Sequence, residues 1–283
     1  MNLTGWENMK NIPFFKMSGS GNDFIIIDNR KNIVDESRLT SFIKKICMRR
    51  MSAGADGLIL IEKHDSADFK WRYFNSDGGR AEMCGNGARC AARFAYLNGI
   101  AGSGMSFLTD AGIVHAEVTG DRCKVKMMDP SGIKDNCLIE LNSGPLTVSS
   151  INTAVPHAVI ITDDIDGVDV AGTGREIRFH KYFAPAGTNV NFITGIKNGT
   201  ISIRTYERGV EAETLACGTG SIASALVTAF KNKAVSPIKV ITRSGGLLVI
   251  YFREDNGRYY DVYLEGDARV IYKGELWEDA WRY

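Results

Sequence analysis

Two cysteines stand in the same short setting. Residues 84–90 read Cys-Gly-Asn-Gly-Ala-Arg-Cys, and residues 217–223 read Cys-Gly-Thr-Gly-Ser-Ile-Ala. In each, Cys-Gly-x-Gly runs directly into a stretch rich in small residues that reads as a helix. A thiol placed there meets free N–H groups and the positive end of the helix dipole. Such settings lower a thiol pKa from about 8.5 into the range of roughly 3.5–7.5. The glycines let backbone approach a ligand closely, and the same N–H groups can hold a carboxylate. One thiolate can then take a proton from a carbon while the other thiol supplies one to the opposite face. Charge on the first raises the pKa of the second, so one thiolate beside one thiol is the natural resting pair.

Other readings of these residues are weaker. A small buried cysteine packing the start of a helix accounts for one copy but not for two. Gly218-x-Gly220-x-x-Ala223 matches a dinucleotide fingerprint in form. That fingerprint needs an acidic residue about 20 positions on, and Ser221 to Arg253 contains neither Asp nor Glu. A Cys–His hydrolase would draw on His157, but it leaves the second cysteine without a task.

The elements that must carry these cysteines are short. Strand-like runs are Phe24–Asp28, Leu58–Ile61, Phe69–Phe74, Ile113–Val118 and Cys123–Met128. Further runs are Ala158–Ile161, Asn189–Ile193, Ile201–Tyr206, Ile238–Thr242, Leu247–Phe252, Tyr259–Leu264 and Arg269–Tyr272. Helical spacing appears over Arg38–Arg49, Gly85–Leu97 and Gly218–Phe230, with a short turn over Gly172–Ile177. Strands interleaved with few helices imply an α+β class with mixed sheets. The echo around the two cysteines implies two similar halves, each a sheet wrapped around a central Ala-rich helix. The Pro130/Gly132 turn suggests halves of 1–129 and 130–272, with 273–283 assigned to the first.

Composition narrows the partners. The chain has 283 residues, 34 Lys+Arg against 33 Asp+Glu, and a formal charge of +1. That near-neutral balance offers no broad basic surface for nucleic acid. The longest apolar runs, such as Phe24–Ile27 and Leu247–Phe252, fall far short of the roughly 20 residues of a membrane-spanning helix. Met1 to Lys16 shows no apolar stretch followed by a cleavage site, so it does not read as a secretory signal, and the chain reads as cytoplasmic. Six cysteines with no C-x-x-C pair argue against a disulfide scaffold or a structural zinc site. Cys47, Cys90, Cys123 and Cys137 are left as packing residues.

Several longer stretches resemble the diaminopimelate epimerase family. They are Phe15–Phe24 (FKMSGSGNDF), Gly54–Gly57, Phe74–Gly78 (FNSDG), Cys84–Cys90, Gly187–Phe192, Tyr206–Gly209 and Glu213–Gly220. The resemblance covers nearly the whole chain. It implies a cofactor-independent, metal-free amino-acid epimerase of lysine and peptidoglycan precursor synthesis, with a small-molecule substrate and a homodimeric state. By similarity, Cys84 is the base toward the LL substrate and Cys217 the base in the meso direction. It also implies substrate contacts at Asn22, Asn75, Gly85, Asn86, Asn189, Glu207, Arg208, Gly218 and Thr219. His157 and Glu207 match positions that assist the chemistry, and Tyr272 matches an aromatic at the subunit contact. Arg208 suits a carboxylate, Glu207 an ammonium, and the asparagines both.

Three departures bear on the non-reacting end of the substrate. Many members have Gly-Asn-Pro-His where this chain has Ala154-Val155-Pro156-His157. Gly57 stands where some carry Gln, and one extra residue lies between Arg208 and Cys217. A racemase of another amino acid and a non-catalytic amino-acid or anion-binding protein are the alternative readings.

Overall fold

The computed structural model describes residues 11–283. Most of the N-terminal stretch read above as lacking a secretory signal therefore lies outside the described residues. The chain divides into two compact units: one runs to Val125 and resumes at Asp267–Tyr283, and the other is Lys126–Gly266.

In the first unit, β1 (Asn11–Gly19), β2 (Asn22–Asp28), β3 (Gly57–Glu62) and β4 (Phe69–Asn75) are followed by the two-residue β5 (Arg80–Ala81). After these come β6 (Gly104–Thr109), β7 (Gly112–Thr119) and β8 (Arg122–Lys126), and the late strand β18 (Arg269–Trp277) joins them. β18 pairs antiparallel with β1, β1 antiparallel with β2, and β2 parallel with β3. β3 then pairs antiparallel with β4, β4 parallel with β6, and β6, β7 and β8 follow as antiparallel neighbours. Ile25–Ile27 and Leu58–Ile61 are fully buried, as continuous apolar runs in a parallel pair require. Helix α1 (Leu39–Ile46) buries Phe42, Ile43 and Ile46, the face its spacing prescribes.

The second unit repeats this succession. β9 (Ser131–Leu141) pairs antiparallel with β10 (Gly144–Asn152), β10 antiparallel with β11 (Pro156–Ile161), and β11 parallel with β12 (Asn189–Ile193). β12 pairs antiparallel with β13 (Thr200–Glu207), which pairs parallel with β15 (Ile238–Ile241). β16 (Leu247–Asp255) and β17 (Arg258–Asp267) complete it as antiparallel neighbours. The short β14 (Ala212–Thr214) lies against β13, as β5 lies against β4. Helix α3 (Val170–Arg178) occupies the place in order that α1 holds in the first unit.

Each unit is organised around one helix. Helix α2 (Gly85–Leu97) packs against β1, β2, β3 and β7, and α4 (Gly218–Asn232) against β10, β11, β12, β13, β15 and β16. Small side chains permit this. Gly87, Ala88, Ala91, Ala92 and Ala95 are buried along α2, and Gly220, Ser221, Ala223, Ser224 and Ala225 along α4. A helix covered on most of its circumference belongs in a core. Around α4 the core includes Leu226, Val227, Ile238, Val240, Leu248 and Leu264.

Candidate active site

Each central helix begins at a cysteine. Cys84 is the N-cap of α2 and its Sγ accepts from the Gly87 N–H at 3.5 Å. Cys217 is the N-cap of α4 and its Sγ accepts from the Gly220 N–H at 3.4 Å. Sulfur thus takes the place of the usual capping oxygen. An N–H aimed at sulfur favours the thiolate over the thiol. The two motifs therefore produce two equivalent local geometries, one per unit.

In the first unit the Cys84 thiol also donates to Asn22 Oδ1 at 3.6 Å, and Asn86 Nδ2 donates to the same oxygen at 3.5 Å. Asn22 opens β2 after a tight turn through Ser20 and Gly21, both at positive φ. Its Nδ2 donates to Asp56 Oδ2 at 2.7 Å. A carboxylate can only accept, so Asp56 fixes the amide and turns its oxygen toward the thiol. Asp56 is held in turn by Arg49 at 2.9 Å. Burial would raise the Asp23 carboxyl beside them, but Arg49 and Lys16 override it and hold Asp23 at about 2.

Asn75 ends β4 and its Oδ1 accepts from the Tyr73 hydroxyl at 2.9 Å. The departure at Gly57 has a steric counterpart on β4. A Cβ on Gly57 would lie 2.4 Å from the Phe74 carbonyl oxygen and 2.7 Å from the Tyr73 ring. No side chain fits at 57 against the β4 backbone and the Tyr73 ring, and the hydroxyl of that ring anchors Asn75.

Beneath α2 lies a whole cation. Arg89 is 0% exposed and donates to the Asp267 and Gly85 carbonyls, the Ser20 hydroxyl and Asn86 Oδ1, at 2.9–3.2 Å. Burial pushes its guanidinium below the ordinary arginine value. It braces Asn86, the turn at Ser20 and the first turn of α2 together.

In the second unit His157, Asn189, Glu207, Arg208, Gly218 and Thr219 gather around the ends of β11, β12, β13 and the start of α4. Asn189 Nδ2 donates to the Pro156 carbonyl at 3.1 Å, and its Oδ1 accepts from the Arg208 N–H at 2.9 Å. One Arg208 N–H group goes to the Ala186 carbonyl at 3.1 Å. Burial pushes the Glu207 carboxyl above its usual value. Thr219 Oγ1 is 3.5 Å from Cys217 Sγ. Thr153 Oγ1 donates to the Thr219 carbonyl at 3.0 Å and ties the turn before β11 to α4. That turn carries Ala154 at φ +78° and Val155, whose carbonyl accepts from the Thr153 N–H. Between Arg208 and Cys217, in the β13–β14 turn, Glu211 takes φ +57° and pairs with Arg178 at 3.2 Å.

His157 is 1% exposed, and burial, with the Arg208 charge adding to it, pushes its pKa down to about 3. Its Nδ1 is 3.1 Å from Asn191 Nδ2. Sequence reasoning passed over Asn191, Thr205, Asp56, Tyr73 and Arg89. Asn191 did carry a signal, an amide flanked by Val190 and Phe192 inside a fully buried strand. Its 0% exposure makes the amide a structural commitment.

A groove of about 390 Å³ on the first unit, lined by Phe14, Met51, Tyr272 and Leu276, contains none of these groups. Tyr272 is 44% exposed and meets Phe14 edge-on at 5.8 Å, so it is no core aromatic. Among the described residues no cluster of three or more His, Cys, Asp or Glu is arranged to hold a metal ion. Among the described residues no helix is long and apolar enough to cross a membrane.

Solved structures share this fold. A phenazine biosynthesis protein of the PhzF family from Bacillus anthracis superposes with a TM-score of 0.74 at 16% identity, covering 95% of this chain and 99% of its own. A hydroxyproline epimerase from Agrobacterium vitis gives 0.66 at 13% identity, covering 95% and 93%. The chain therefore shares its architecture with these proteins. Sequence is more specific. The profile of the family described as Diaminopimelate epimerase matches residues 14–133 and 149–271. The diaminopimelate epimerase of Aquifex aeolicus is 46% identical over 96% of this chain and all of its own length. That of Chlorobaculum tepidum is 42% identical over 92% and 99%. The chain belongs to the diaminopimelate epimerase family of isomerases.

Proposed function

We propose that the protein interconverts LL- and meso-diaminopimelate by inverting one α-carbon, with no metal or pyridoxal phosphate. The Cys84 thiolate takes the α-proton of the LL substrate and becomes a thiol. The electron pair left on carbon is delocalised into the adjoining carboxylate, and the Cys217 thiol delivers its proton to the opposite face and becomes a thiolate. The reverse direction starts from Cys217. Backbone N–H groups of Gly85, Asn86, Gly218 and Thr219, at the two positive helix ends, stabilise the charge that builds on the carboxylate. Asn22, Asn75, Asn189, Glu207 and Arg208 hold the ammonium and carboxylate groups.

One observation carries this: each central helix is capped by a cysteine sulfur accepting from the third residue on. The sequence around both caps lies in a chain 46% identical to a diaminopimelate epimerase over its whole length. The protein works in the cytoplasm as a homodimer, with exposed Tyr272 in the contact. Sedimentation of Tyr272→Ala should show a shift toward monomer.

Incubation with LL-diaminopimelate in deuterated water is the test. Deuterium should enter one α-carbon as the meso isomer accumulates. No exchange with this or any other amino acid would refute the epimerase. The family match does not favour the alternative that Val155 raises, a racemase of an amino acid lacking the distal ammonium and carboxylate. Faster turnover of such a substrate in a panel would establish it.

A further inference from the structure

We propose that Asn191 is a positioning residue: it holds the buried His157 ring with its proton on Nε2, leaving a neutral imidazole whose N–H is an open hydrogen-bond donor. This rests on the reading that His157 belongs to the reaction, and it specifies what His157 can do there.

The amide cannot be turned the other way. Asn191 Nδ2 lies 3.0 Å from the Ala158 carbonyl oxygen, which only accepts. The atom facing it is therefore the NH2 group. The same nitrogen lies 3.1 Å from His157 Nδ1, so its second hydrogen points at the ring and Nδ1 must accept. Behind it, Thr205 Oγ1 donates to Asn191 Oδ1 at 3.0 Å. Thr205 and Asn191 are direct partners across β12 and β13, so the backbone register fixes this contact. Asn191 and Thr205 are 0% and 3% exposed, and water does not compete. Gly220 closes the arrangement from α4, where a Cβ would lie 2.4 Å from Asn191 Oδ1.

With Nδ1 accepting, a neutral ring carries its proton on Nε2. Nε2 is buried and has no hydrogen-bond partner among the described residues. Every other polar atom in the chain Thr205–Asn191–His157 is matched. An unmatched buried N–H is unfavourable, and an acceptor brought by the substrate, such as a carboxylate oxygen, would satisfy it. The ring then serves as a donor, not as a base at Nε2. Burial keeps it uncharged through the working range of pH.

Nitrogen-15 spectra of the histidine-labelled protein test this, with His157→Gln assigning the signals. The His157 ring should show a protonated Nε2 and an unprotonated Nδ1 from about pH 5 to pH 8. A proton on Nδ1, or a charged ring, overturns the proposal even if no variant folds. Asn191→Asp puts an acceptor where the donor was. It should move the proton to Nδ1 and lower kcat for diaminopimelate about tenfold or more, with KM within about twofold. An unmoved proton with full kcat overturns it. Thr205→Val should loosen the tautomer and lower kcat, and Thr205→Ser should restore both; equal behaviour of the two variants would count against the relay. A wild type with the stated ring but no epimerisation refutes the proposed function and leaves the tautomer assignment standing.

Discussion

The two cysteine caps share a motif and a local geometry but not a surrounding. Cys84 sits over charge. Asn22 is aimed at it by Asp56, which is held by Arg49, and Arg89 lies fully buried beneath the first turn of α2. That guanidinium is near enough for its charge to act on Cys84. Five residues after Cys217 the corresponding position is the apolar Ile222, and the Thr219 hydroxyl, 3.5 Å from the sulfur, is uncharged. Repetition of a motif therefore fixes where a thiol stands at a helix start, while the residues one layer out decide the electrostatics it feels.

Replacing either thiol should cut deepest. Cys84→Ala and Cys217→Ala should each lower epimerisation by roughly 10²–10⁴-fold, yet each should still exchange the proton of the isomer facing the remaining cysteine. Loss of exchange from both isomers in both variants would mean that the thiols do not divide the work. The buried cation comes next. Arg89→Met strands four acceptors and should cost about 3 kcal/mol, whereas Ile222→Met should cost less than about 1 kcal/mol. Equal losses in denaturant unfolding would erase the contrast between the helices.

The glycines at the third helix positions refine it. A Cβ at Gly87 would meet the side chains of Ile59, Trp71 and Phe24 at 3.3–3.5 Å, but at Gly220 it would meet the pinned Asn191 at 2.4 Å. Gly220→Ala should therefore lose about 2 kcal/mol and Gly87→Ala about half that. A reversed order would show that the amide is free to move.

His157 adds a pH signature to the second unit. Its folded pKa, about 3, lies below the ordinary 6.5. The unfolded chain therefore takes up a proton between these values that the folded one refuses. The folded state keeps its full stability above about pH 6.5 and loses up to about 1.4 kcal/mol per pH unit below it. His157→Gln should remove that slope, and unfolding midpoints from neutral to acid pH would reveal its persistence. The smallest effect concerns matching turns. The β1–β2 turn has glycine at φ +92°, and the β10–β11 turn has Ala154 at φ +78°. Ala154→Gly should gain roughly 0.5 kcal/mol, the relief of left-handed strain less the added freedom of glycine. A loss on thermal unfolding would place the strain elsewhere.

Much of this was readable from sequence, for physical reasons. Helix α2 spans Gly85–Leu97 and β12 spans Asn189–Ile193, the same limits their composition implies, because small residues and an apolar run leave little choice. The β9–β10 hairpin was not readable. Lys134, Asp135 and Asn136 interrupt it, and much of each strand faces solvent. Nor was β1, where Pro13 looks like a break and Lys16 like a surface residue. In the fold Lys16 is 6% exposed and paired with Asp23 at 2.8 Å. At the candidate site the cysteines were legible because they repeat. Asp56, Arg89, Asn191 and Thr205 were not, because their importance lies in partners far away in the chain.

The first unit is assembled from sequence on both sides of the second: its opening strand has β2 along one edge and takes Arg269–Trp277 along the other. A ribosome releases the second unit as one uninterrupted length, but it must finish nearly the whole polypeptide before β1 can meet β18. During synthesis the later half can mature first, and the earlier half waits with one edge uncovered.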